Sequence, residues 1–189
     1  MTKRILRYGL PAAVVILITL FFATSYVNSI VPAGIIIHHS AVAPPLDGAP
    51  VDAATIDRIH KRRGYEIFYW GRLYHIGYHY VILPDGTVQQ GRPELLQGSH
   101  TEGYNSYLGI CLIGNFSSAD NAAGKRGLTM PTESQLTALV ELTKSLQSKY
   151  GFSSGQVLRH RDVNPTSECP GDQFPFADFQ SRLEAAENR

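Results

Sequence analysis

A single α/β domain, with a central mixed β-sheet flanked by helices, is predicted by three features of this 189-residue chain. Short apolar runs rich in β-branched and aromatic residues recur at 35–38, 78–83, 87–90, 108–113 and 157–159. Segments with the 3.6-residue apolar period stand between and after them, so strands interleave with helices around one sheet. No internal repeat is present, and the length suits one domain able to bury its own core.

The first 30 residues are expected to lie outside that domain. Lys3, Arg4 and Arg7 precede an uncharged stretch that is most apolar over 10–27. It is long enough to cross a bilayer and longer than a usual signal-peptide core. Basic residues before it and none directly after it orient the N-terminus to the cytoplasm. The expectation is a basic tip and membrane anchor over 1–30, one transmembrane helix in the inner (cytoplasmic) membrane. Residues 31–189 would form a domain on the periplasmic or extracellular side. The alternative is a signal peptide cleaved near 23–25 or 27–29, releasing a secreted domain. No Cys follows the apolar run, which argues against a lipoprotein anchor.

Within the domain, residues 35–38 read as a buried strand, followed by a Pro-rich loop at 44–50. Asp52 caps a helix that reaches Arg63 and stops before Gly64. The alternating run 78–83 enters a Pro-Asp-Gly turn and returns as 87–90, and 108–113 forms a further strand. Residues 117–130, rich in Gly, Asn, Ala and Ser, read as a surface excursion. Thr132-x-x-Gln135 forms a capping box for a helix with Leu136, Leu139, Val140, Leu146 and Tyr150 on its apolar side, and Gly151 stops it. A strand at 157–159 delivers His160, and Phe176, Phe179 and Leu183 are the stripe of a last helix.

Charge excludes one class of partner. The chain carries 17 basic and 16 acidic residues. Setting aside Lys3, Arg4 and Arg7 leaves about −2 on the domain, which does not suit nucleic acid.

Chemistry concentrates in His38, at the end of Gly-Ile-Ile-Ile-His-His-Ser, and in His160 and Cys169, nine positions apart in His-Arg-Asp-Val-Asn-Pro-Thr-Ser-Glu-Cys-Pro-Gly. Two imidazoles and a thiolate suit one Zn2+ ion and leave a fourth tetrahedral position open for water, a site fit for hydrolysis. The residues alone leave a second reading open, a disulfide between Cys111 and Cys169.

Four further segments accompany these ligands: Tyr-His-Ile-Gly-Tyr-His-Tyr-Val-Ile at 74–82, Asp-Gly-Thr-Val-Gln-Gln-Gly-Arg-Pro at 85–93, Gly-Ser-His-Thr-Glu-Gly-Tyr-Asn at 98–105 and Leu-Gly-Ile-Cys-Leu-Ile-Gly-Asn-Phe at 108–116. In this order they resemble the zinc-dependent N-acetylmuramoyl-L-alanine amidases of the type-2 family, relatives of peptidoglycan recognition proteins and of phage amidases. The resemblance spans about residues 34–175.

It implies a zinc hydrolase that cleaves the amide between N-acetylmuramic acid and L-alanine, with peptidoglycan or muropeptides as partner. His38, His160 and Cys169 would hold the metal. Since side chains on a strand alternate, His38 and His39 cannot both reach one ion, and the family pattern selects His38. Tyr78 matches the residue that stabilises the reacting carbonyl. His100 and Asn105 match positions along the glycopeptide groove. A Lys or Thr commonly stands two residues before the metal-binding Cys, which itself follows the second His by eight residues. Here that interval is nine and the helper is Ser167 or Thr166, neither carrying positive charge. One branch of the family has a Glu where this chain has Cys111, so that carboxylate cannot act here. No residue declares itself as proton donor to the leaving amine. Two other functions share the fold: a recognition module that binds peptidoglycan without cutting it, and a phage lysis amidase with a releasable anchor.

Overall fold

The computed structural model describes residues 11–43 and 48–187. Its elements are α1 (Ala12–Val27), β1 (Ile35–His39), α2 (Ala53–Lys61), β2 (Ile67–Tyr69), β3 (Arg72–Tyr74), β4 (Tyr80–Ile82), β5 (Val88–Gln90), β6 (Leu108–Leu112), α3 (Ser118–Asn121), α4 (Glu133–Tyr150), β7 (Val157–Arg159), α5 (His160–Val163) and α6 (Phe176–Glu187).

Five strands form one sheet in the order β5-β4-β6-β1-β7. β1 pairs parallel with β6 and β7, β4 pairs parallel with β6, and β5 returns antiparallel at the edge. The expected mixed sheet is therefore present. Every residue of β1 and β6 is buried, as parallel strands covered on both faces require. Alternation divides their side chains. Ile35 and Ile37 join Leu108, Ile110 and Leu112 in the larger core, under Leu139 of α4 and Phe179 of α6. On the opposite face, Ile56 of α2 packs with Ile76 and Val81 in a smaller core. By the same period of two, His38 shares the α2 face with Ile36 and Cys111, and His39 shares the larger core with Ile37.

Both sequence-read caps are formed. The Asp52 carboxylate accepts the Thr55 N–H at 2.8 Å. Thr132 and Gln135 exchange side-chain to backbone bonds at the start of α4, and Gly151 at φ 74° ends it. A cap contributes about 1 kcal/mol. Each fully buried leucine contributes on the order of 2 kcal/mol, so the stripe of Leu136, Leu139 and Leu146, more than the cap, fixes α4 on the sheet.

Two expectations are corrected, and one element is new. The apolar N-terminal stretch forms a helix of 16 residues, about 24 Å long against a hydrocarbon layer of roughly 30 Å. Among the described residues no helix is long and apolar enough to cross a membrane. The transmembrane helix, the anchor and the single-pass inner-membrane location are therefore withdrawn. The physical reason lies at both ends of α1. Pro11 directly precedes its first turn, a placement that suits a helix start. Past Val27 the chain is tied to the domain, since Gln97 N–H donates to Asn28 O at 2.9 Å and Asn28 Nδ2 to Phe68 O at 3.2 Å. The helix rests on the β2–β3 hairpin through edge-on contacts of Phe21 and Phe22 with Phe68 and Trp70.

The hairpin itself is the new element, absent from the sequence-based expectations. The second correction is that Tyr78 does not lie on a strand: β4 begins at Tyr80. Lys3, Arg4, Arg7 and residues 44–47 of the Pro-rich loop lie outside the described residues.

Candidate metal centre

His38 is the fourth residue of β1, and its position on the α2 face brings it to the carboxyl end of the sheet. β7 runs parallel beside β1 and passes straight into α5, so His160 arrives at the same end. Cys169 is returned to it by a loop whose backbone is fastened at two points. Arg161 N–H donates to Cys169 O at 2.9 Å, and Cys169 N–H to Ser167 Oγ at 3.3 Å. Ligand atoms of His38, His160 and Cys169 all lie within 4.8 Å of one another.

The three fit zinc. A tetrahedral ion with nitrogen at about 2.1 Å and sulfur at about 2.3 Å sets those two atoms roughly 3.5 Å apart. Cys169 Sγ is 3.5 Å from His38 Nδ1. Both cysteines are free, and Cys111 is fully buried on β6, so the disulfide reading is discarded. His39 faces the other way: its Nδ1 accepts the Phe116 N–H at 3.0 Å.

Electrostatics favour neutral imidazoles here. Burial, then the neighbouring rings of His100 and His160, holds His38 well below the ordinary histidine range. Burial also lowers His160. It pushes the Cys169 thiol up to about 12, against the pull of the His39 N–H that donates to its sulfur. A divalent cation would reverse that last effect, because a coordinating thiol loses its proton.

Around the cluster opens a cavity of about 520 Å³. Tyr78, His100, Asn105 and Ser167 line it, and Thr166 does not. The Tyr78 ring lies 5.1 Å from that of His38. Burial, then the Cys111 and Cys169 sulfurs, raises the phenol well above its usual range, so Tyr78 is a neutral donor. Ser167 Oγ stands 3.3 Å from His160 Nδ1. Thr166 turns outward and spends its hydroxyl on Asn164 Oδ1 at 2.7 Å. Asn105 Oδ1 accepts the N–H groups of His100 and Thr101 at 3.0 and 3.2 Å, holding the loop. His100 uses both ring nitrogens inside the protein, Nε2 toward Tyr107 O and Nδ1 toward His38 and Thr101.

Sequence reading missed His60, Arg63 and Tyr65, which line the same cavity. His60 follows Ile56 by four residues on the buried side of α2, a helical spacing that could have revealed it. Its Nδ1 accepts the Gly77 N–H at 2.8 Å and so supports the segment leading to Tyr78.

Fold and site together define an α/β domain with a candidate metal centre at the carboxyl ends of neighbouring parallel strands. The profile of the N-acetylmuramoyl-L-alanine amidase family matches residues 28–172, and the chain belongs to that family. It is accordingly an enzyme, an amidase that acts on peptidoglycan. The endolysin of Enterobacteria phage T3 is 37% identical over 138 residues, which cover 72% of this chain and 78% of the endolysin. An N-acetylmuramoyl-L-alanine amidase of Homo sapiens is 32% identical over 140 residues, 72% of this chain and 22% of that one. Among solved structures, the N-acetylmuramoyl-L-alanine amidase LysC from Clostridium intestinale superposes with a TM-score of 0.64 at 36% identity, over 82% of this chain and 87% of that one.

Proposed function

We propose that the protein is a zinc-dependent amidase that cuts the bond between the lactyl group of N-acetylmuramic acid and the L-alanine of the stem peptide. The observation that carries this reading is the grouping of His38, His160 and Cys169 in an open cavity. A zinc ion held there supplies Lewis acidity, activating water and polarising the scissile carbonyl.

The chain's own residues do the remaining work. Tyr78, kept protonated by its surroundings, donates to the carbonyl oxygen as negative charge develops on it. Ser167 Oγ accepts from Cys169 N–H and stands 3.3 Å from His160 Nδ1 at the cavity wall, so its hydroxyl is the one held beside the metal position; we assign the second hydroxyl to Ser167 and no part to Thr166. Arg63 adds to the cavity the positive charge that a serine lacks. Asn105 shapes the groove wall through the loop it holds. The sheet, both cores and the cavity lie within residues 31–189, and we assign the amidase domain to them.

Two measurements on the purified chain test this. Elemental analysis should find one zinc per chain, lost together with activity in Cys169→Ser. Mass spectrometry of digested peptidoglycan should find intact glycan strands and stem peptides with a free L-alanine amine. New reducing sugar ends, new termini inside the stem, or tight binding without product would each overturn the reading.

A further inference from the structure

We propose that His100 is a positioning residue that holds the His38 ring in the tautomer presenting Nδ1 to the metal, and is not a contact for the glycopeptide. The inference rests on the reading of His38 as a zinc ligand and extends it to the group behind.

The hydrogen bonds leave one consistent assignment. A carbonyl oxygen can only accept, so the contact of His100 Nε2 with Tyr107 O at 3.0 Å places the proton on Nε2. A neutral imidazole has one N–H, and His100 Nδ1 is then a bare lone pair. That lone pair lies 3.0 Å from His38 Nε2, which must donate to it. With its proton on Nε2, His38 has an unprotonated Nδ1, and this is the nitrogen 3.5 Å from Cys169 Sγ. The orientation thus passes from a backbone carbonyl through two rings to the metal position. Thr101 Oγ1, 3.1 Å from His100 Nδ1 and 3.4 Å from His38 Nε2, closes the arrangement from the side.

Packing makes His100 a fixed part of the frame. A Cβ added at Gly98 would stand 2.5 Å from His100 Cδ2, and one added at Gly109 would stand 2.7 Å from the same atom. The ring therefore fills a slot between two backbone segments that only glycines leave wide enough. Gly109 is on β6, next to the strand that carries His38, so the sheet sets the distance between the rings. A groove contact would need a ring nitrogen turned to the cavity, and both are already engaged.

Outer partners of metal-bound histidines typically change affinity by about 10–100-fold. Zinc affinity, measured by competition with a chromophoric chelator, should fall by that factor in His100→Phe and recover in part in His100→Asn, whose amide oxygen can accept from His38. At saturating zinc, KM for a soluble muropeptide should stay near that of the parent enzyme. Long-range ¹⁵N–¹H NMR of the metal-free parent protein needs no variant and should show His38 protonated on Nε2. Unchanged zinc affinity in His100→Phe, a raised KM with affinity intact, or His38 protonated on Nδ1 would each overturn the proposal. A parent protein that binds no zinc would instead remove the zinc reading itself, and this inference with it.

Discussion

At Tyr78 one hydroxyl can be separated from everything else the side chain does. Its ring packs against His38 and His60 at 5.1 and 5.3 Å, and Tyr78→Phe keeps those contacts while deleting the donor. kcat should fall about a hundredfold with KM near its original value, because the lost bond forms only as charge develops. Steady-state rates on a defined muropeptide check this, and an unaltered kcat would reduce Tyr78 to packing. That His38, His160 and Cys169 come together was legible in the sequence, because ligand chemistry and motif order agreed on them. Ser167 and Thr166 were not separable there, since the additional residue before Cys169 blurs the register. The fold separates them by hydrogen bonding: Ser167 Oγ meets the Cys169 N–H, whereas Thr166 is held by Asn164.

Helix α4 shows how an element can be locked by one polar side chain. Gln135 is fully buried, and its Nε2 donates to Ile82 O at the end of β4 and to Ile113 O just past β6. Gln135→Ala removes one donor from each of these carbonyls, with Ile82 O keeping the Ile113 N–H, and half of the capping box. It should cost about 2–3 kcal/mol, read as a lowered denaturant midpoint at constant slope. A shift no larger than that of an exposed control such as Glu141→Ala would show that the bridge contributes nothing. The helix and the strands it covers were readable because apolar period and caps coincide. The β2–β3 hairpin was not. Phe68, Trp70 and Leu73 stay exposed, so no buried alternation marks its strands. Its turn places Trp70 at φ 46° ahead of Gly71 at φ 79°, where Asn-Gly or Asp-Gly is the usual signal. Hydropathy likewise found the apolar stretch of α1 but not its ends, which are set by Pro11 and by the tie of Asn28 to Gln97.

For the whole molecule, buried histidines should govern behaviour in acid. His79 Nδ1 accepts the Gly109 N–H and its Nε2 donates to Leu96 O, a pairing only the neutral ring satisfies. Burial chiefly lowers both His79 and His60 to about 4. An unfolded chain would take up these protons near pH 6.5. The unfolded state thus binds more protons between about pH 6.5 and 4, so stability is full above that window and is lost as pH falls through it. Each ring contributes at most about 3 kcal/mol, a large part of a typical 5–15 kcal/mol total. Thermal unfolding followed from pH 7.5 to 4.5 should show a steadily falling midpoint, and a flat profile would refute this account.

His38 and Cys169 stand 131 positions apart, and that separation has a consequence during synthesis. Translation runs from the N-terminus, so every strand of the sheet leaves the ribosome before the thiol does. A chain cut short after β7 carries all five strands of the sheet and still lacks Cys169. On the zinc reading proposed above, the amidase would stay inert until the loop after β7 has been made and has closed.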